Sequence, residues 1–295
     1  MRQLVVLGLL LNAALHAQQP PPFPEKMVPY PVVADIDFAE GPIFDQKGNL
    51  YFVNYIRNGT IGRKTPDGSV SVWCETGGQA NGLKVDSEGY IIAADYRGKR
   101  VLRIHPDGKQ ISVLADNYQG EKFLGPNDLC LDLAGTIYFT DPTGSSKDKP
   151  IGSLYRLGRD RQVRRLATGL AFPNGLAVSP DQKKLYFVES GRDHLAAMDL
   201  LPDGRAEPPQ VIYKFPTAGL DGIMFDEYGR LWVTRWANGT VDVITQDGQL
   251  VRSIPAGGTN VTNICFWEKS VYLTVAGSHS IHRIQVGVGG AQQWK

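Results

Sequence analysis

Cysteine is scarce in this sequence, and the few present form no framework. Cys74, Cys130 and Cys265 are spread over 295 residues, and an odd, widely spaced set excludes a disulfide scaffold and a zinc cluster. Cys130 and Cys265 each fall inside an apolar segment and read as small core residues. An excess of one charge is also lacking: 31 Lys and Arg stand against 30 Asp and Glu, a formal net charge of +1. No basic footprint for a nucleic-acid partner is present. The G-x-S-x-G elbow, the H-E-x-x-H helix and the phosphate-binding loop are absent, which removes serine-hydrolase, zincin and nucleotide chemistry of those types.

Long hydrophobic runs are missing as well. The apolar stretch at residues 4–11 is too short to span a bilayer. It follows Met1-Arg2-Gln3 and ends in small residues at Ala17, the layout of a secretory signal. Residues 1–17 are therefore expected to be a signal peptide, residues 18–28 a loose Pro-rich leader, and the protein secreted or periplasmic. No cysteine follows the signal to carry a lipid anchor, so no membrane attachment is expected. The sequence leaves the oligomeric state open.

Glycine and proline, by contrast, are plentiful, at 33 and 19, and they punctuate a repeat. Six segments stack: EGPIFDQKGNLYFVN from Glu40, NGLKVDSEGYIIAAD from Asn81, NDLCLDLAGTIYFTD from Asn127, NGLAVSPDQKKLYFVE from Asn174, DGIMFDEYGRLWVTR from Asp221 and TNICFWEKSVYLTV from Thr262. Successive starts lie 41 to 47 residues apart. Each unit reads as an apolar strand, a turn such as Asp45-Gln46-Lys47-Gly48, a strand rich in β-branched and aromatic residues, and two further strands around a second Gly turn. Four antiparallel strands per unit of this length match a propeller blade. The fold class is all-β: a six-bladed β-propeller over residues 29–288, with a short tail at 289–295. The last unit lacks a strand, and residues 31–38 are predicted to add it and close the ring, which protects the open edges.

In a propeller the first strand of each blade lines the central channel, so Glu40, Asn81, Asn127, Asn174, Asp221 and Thr262 ring the axis at one height. Asn-Gly and Asp-Gly are also common turn formers, which by itself accounts for Asn81, Asn174 and Asp221. Glu40 and Asn127 have no such explanation. Oxygen-bearing side chains at one level make a hard-cation site. Calcium is the best match, zinc or manganese being alternatives. A second ring, fourteen positions on in most blades, holds Asn54, Asp95, Asp141, Glu189 and Arg235. Asp95, Glu189, Arg235 and the adjacent Trp236 are expected to touch substrate, with Asn81 and Asn127. Asp221 is the first choice for a base acting on water and Asp141 the second. His194 and His279 are placed on loops over the same face, and the loop at residues 142–152 is read as a lid.

At these residues the chain resembles the senescence-marker/gluconolactonase/regucalcin family of six-bladed propellers. The resemblance is carried by EGPIFD at Glu40, GPNDLCLDLAGTIYFTDP at 125–142, FPNGLAVSPDQKKLYFVES at 172–190 and LDGIMFDEYGRLWV at 220–233. More distantly, the Glu, Asn, Asn, Asp pattern is similar to that of diisopropylfluorophosphatase and the paraoxonases. The resemblance implies that Glu40, Asn174 and Asp221 are metal ligands. It implies that Asn127 binds metal or touches substrate, and that Asp221 is base or nucleophile. It also implies a small-molecule lactone as substrate, aryl ester or organophosphate hydrolysis being the variants. The arginine that the animal branch carries two positions before the PND-type asparagine is Gly125 here, which puts that device for gripping sugar acids in doubt. A non-catalytic binding propeller with a structural calcium is the alternative from another class.

Overall fold

The structure is a computed structural model and describes residues 19–291. The expected signal peptide thus lies outside the described residues. Six four-stranded antiparallel sheets surround an axis. Their innermost strands are Ile36–Phe44, Ala80–Val85, Leu129–Leu131, Pro173–Val178, Leu220–Phe225 and Val261–Trp267. No helix among these residues is long and apolar enough to cross a membrane.

Each blade follows from a local rule. The inner and second strands are almost wholly buried, as in Leu50–Tyr55 and Leu231–Arg235, whereas the outer ones alternate or face solvent, as in Val70–Glu75 and Leu250–Pro255. The turn between the first two strands is held by its aspartate. The Asp45 Oδ1 accepts from the backbone N–H groups of Lys47 and Asn49, both at 2.9 Å, and Asp226 does the same for Tyr228 and Arg230 at 3.0 and 2.9 Å. Gly48 completes the turn at φ 80°, a conformation glycine adopts without strain.

The ring closes through Tyr30–Val33, which pairs antiparallel with Ser280–Gln285 in the register Tyr30↔Arg283 and Val33↔Ile281. The expected closing strand over 31–38 is therefore divided. Asp35 takes a left-handed conformation at φ 61°, the chain turns there, and Ile36 onward begins blade one. The two ends are stitched by Ile36 N–H donating to the His279 carbonyl at 3.1 Å and Thr262 Oγ1 donating to the Ala39 carbonyl at 2.6 Å. Phe23, in the segment read as a loose leader, is anchored: its ring meets Trp232 edge-on at 5.7 Å and lies under the Arg230 guanidinium at 4.7 Å.

Candidate active site at the channel mouth

Four of the six first-strand starts are followed by glycine, and packing at the axis explains why. A Cβ on Gly175 would lie 2.4 Å from the Asp221 carbonyl, and one on Gly41 only 2.1 Å from that of Asn81. At these positions each inner strand touches the next through bare backbone. Gly82 and Gly222 leave space for something else: Cβ atoms there would lie 2.3 Å from Asp128 Oδ1 and 2.4 Å from Asn263 Oδ1. Asp128 and Asn263 are the two residues that stand where the other blades have glycine. They come from opposite blades, 135 residues apart, and meet across the axis, Asn263 Nδ2 donating to Asp128 Oδ2 at 3.3 Å.

Above this crossbar opens a cavity of about 410 Å³ with Glu40, Asn81, Asn127, Asn174 and Asp221 in its floor. Its rim carries Phe38 and Trp236, stacked with centroids 5.8 Å apart, together with Tyr96 and Phe172. Glu40, Asn127, Asn174 and Asp221 are all at least nine-tenths buried. The Oδ1 atoms of Asn127 and Asn174 have no hydrogen-bond partner, an unfavourable state for buried amide oxygens. Burial pushes the Glu40 carboxyl up to about 8. The negative charge of Asp128 adds to this, while the Gly41 N–H, the Asn263 amide and Lys84 pull the other way. Asp221 is likewise held well above the usual carboxylate range, by burial first and then by the charges of Glu40 and Asp128.

The donor set fits a hard divalent cation. Orphaned amide oxygens and buried carboxylates are the ligands such an ion takes, and a cation here would offset the crowding of Glu40, Asp128 and Asp221 that raises the first and the last. Among the described residues no three His, Cys, Asp or Glu side chains stand close enough to hold an ion by themselves. A cation here depends on the asparagine oxygens, which disfavours zinc.

The second ring does not join the site. Asp141 accepts from the N–H groups of Leu124 and Gly125 at 2.9 and 2.6 Å. Asp95 accepts from Gln79 and Gly98 and pairs with Arg100 at 2.8 Å. Glu189 accepts from Ala171 N–H and pairs with Arg192 and His194, and Arg235 is locked to Asp242 at 2.6 Å and to Thr217. Each strand end thus spends its charge on the loop that leads into a first strand. None of these four side chains lines the cavity: Asp141 anchors a loop, and Asp95, Glu189 and Arg235 are tied to neighbouring loops and strands. His279 bonds the Ile36 carbonyl through Nδ1 at 3.0 Å and His194 faces Glu189, so both serve the scaffold too. The expected lid is pinned: Ser145 Oγ donates to the Leu170 carbonyl at 2.6 Å and accepts from Gly152 and Phe172 at 3.1 Å. Trp236, expected to touch substrate, and Phe172 line the cavity, whereas Phe123 packs against Phe139 at 5.1 Å. Asp128, Asn263, Phe38 and Tyr96 were not singled out by the sequence. The break in the polar-Gly rule at 128 and 263 is the signal that marks the first two.

Known proteins are similar to this chain over most of its length. The gluconolactonase of Zymomonas mobilis is 30% identical over 88% of this chain and 81% of its own length. The diisopropyl-fluorophosphatase of Loligo vulgaris is 29% identical over 74% of this chain and 78% of its own. A solved gluconolactonase structure from Xanthomonas campestris superposes with a TM-score of 0.77 at 26% identity, covering 88% of this chain and 90% of that one. The model of the SMP-30/Gluconolactonase/LRE-like region matches residues 38–277, most of the described chain, and the chain belongs to this family.

Proposed function

We propose that the protein is a lactone hydrolase, opening a cyclic ester at the channel mouth with one divalent cation, calcium in preference to zinc or manganese, held by Glu40, Asn127, Asn174 and Asp221. The observation that carries the reading is the pair of orphaned buried oxygens on Asn127 and Asn174 beside two buried carboxylates. The named activities of the Zymomonas and Xanthomonas relatives supply the reaction class.

A bound cation would supply Lewis-acid polarisation of the ester carbonyl and stabilise the oxyanion that develops on it. The protein's own groups do the rest. Asp221 is buried at the cavity floor, where its carboxylate is placed to accept the proton of an attacking water. Water adds to the carbonyl carbon, the ring C–O bond breaks, and the proton taken at an Asp221 oxygen is returned to the leaving alkoxide, giving a hydroxy acid. Phe38, Trp236, Tyr96 and Phe172 offer apolar faces for the ring, and Asn81, Gln79 and Ser190 offer polar contacts at the same wall. Among the described residues no Arg, Lys or His lines the cavity, which favours neutral lactones over anionic ones. Likeness to the squid enzyme makes phosphorus esters the second class to assay.

Asp221→Asn tests the assignment. Turnover should fall by about 10²–10⁴-fold with the far-UV spectrum unchanged. Retained turnover removes the role given to Asp221. The reading also includes export of the mature protein, supported by residues 1–17; N-terminal sequencing of the secreted fraction, starting near residue 18, checks it.

A further inference from the structure

At the other end of the inner strands the channel opens into a second, smaller space walled by Cys130, Leu176, Ile223 and Phe225. One charged side chain enters it. Lys84, on the inner strand of blade two, is largely buried, with 11% side-chain exposure. Its Nζ donates to the Leu83 carbonyl at 3.2 Å and stands 3.9 Å from Asp128 Oδ1. Asp128 is itself one half of the crossbar with Asn263. Among the described residues lining the two cavities, Lys84 is the one cationic side chain. A lysine in an apolar channel has a large desolvation cost, which its partner must offset. Here the partner lies directly beneath the proposed ligand ring, next in sequence to Asn127.

From this geometry we infer that Lys84 is a tethered counter-ion of the channel, holding the Asp128–Asn263 crossbar and setting the charge that a cation above it meets. The inference rests on reading the Glu40–Asp221 group as a divalent-cation site. Lys84 is a positioning residue, since it acts through Asp128 and not on substrate. Two consequences have opposite signs, and a merely structural lysine would not produce both. Without Lys84 the floor carries one more uncompensated negative charge. The metal-free fold then loses the attraction between Lys84 and Asp128, whereas the attraction for a divalent ion is strengthened.

The test is calcium titration by calorimetry, with thermal unfolding of the metal-free and calcium-loaded forms, on wild type, Lys84→Met and Lys84→Arg. Lys84→Met should bind calcium about tenfold more tightly. Its metal-free form should melt lower, and its calcium-loaded form should melt close to wild type. Lys84→Arg should behave as wild type. If Lys84→Met folds only with calcium, refolding in calcium should succeed and in EDTA fail; failure in both overturns the inference. Unchanged or weaker calcium binding by Lys84→Met, or an equal drop in both melting temperatures, also overturns it and leaves the cation site standing. A wild type that binds no calcium, manganese or zinc removes both.

Discussion

The burial of Glu40 makes the stability of the metal-free protein fall as pH rises, against the usual behaviour of a carboxylate. In the folded, metal-free chain Glu40 has its pKa raised from 4.5 to about 8. Between those values the native state holds a proton that the unfolded state has released, so stability declines with increasing pH across that window. At about 1.4 kcal/mol per pH unit, the gap from 4.5 to about 8 gives a loss of about 5 kcal/mol at most. That is comparable with the whole stability of many domains, about 5–15 kcal/mol. Asp221, raised for the same reasons, adds in the same direction. The perturbation is removal of metal with EDTA, and the assay is urea unfolding at pH 5, 6, 7 and 8.5. The unfolding midpoint of the metal-free wild type should drop steadily over this range. Glu40→Gln should flatten the slope, because it removes the titrating group and one of the charges that raise Asp221. A metal-free wild type equally stable at pH 5 and 8.5, or a slope that survives Glu40→Gln undiminished, would refute the reasoning.

Two further outcomes follow from the geometry of the site. Asp141→Ala strands two backbone donors and should cost about 2–5 kcal/mol in urea unfolding, yet at saturating calcium its turnover should stay within about tenfold of wild type, as expected for an anchor outside the chemistry. Gly222→Ala places a methyl 2.4 Å from Asn263 Oδ1; it should cost about 2 kcal/mol and weaken calcium binding, both readable by calorimetry.

The architecture was legible because it is written as a repeat. Every blade carries an apolar inner strand and a buried second strand, four of the six joined by an Asp-x-x-Gly turn, and near-equal periods leave few topologies open. The floor of the site was legible for the same reason: equivalent positions in a propeller share a height, so Glu40, Asn81, Asn127, Asn174 and Asp221 had to meet. Direction was not legible at the second ring. Spacing put Asp95, Asp141, Glu189 and Arg235 at strand ends on the correct face, but a charged side chain there can turn to the cavity or to the adjoining loop. Unpaired N–H groups of that loop won in the cases of Asp95, Asp141 and Glu189, since buried donors must be satisfied. The crossbar was hidden because its partners are 135 residues apart and its sequence trace is only the absence of glycine at 128 and 263. The closing strand was found but misbounded, as a single left-handed residue, Asp35, ended it early.

The central claim, lactone hydrolysis at a cation-dependent channel mouth, is tested most directly by one assay. The purified protein is stripped with EDTA, then supplied with calcium, zinc or manganese, and its hydrolysis of glucono-δ-lactone and simpler neutral lactones is followed by proton release. The account predicts that turnover is lost on stripping and restored by added cation, best by calcium, with anionic lactones poorer substrates. A folded, calcium-loaded protein that opens no lactone, or one whose turnover is untouched by EDTA, would contradict it.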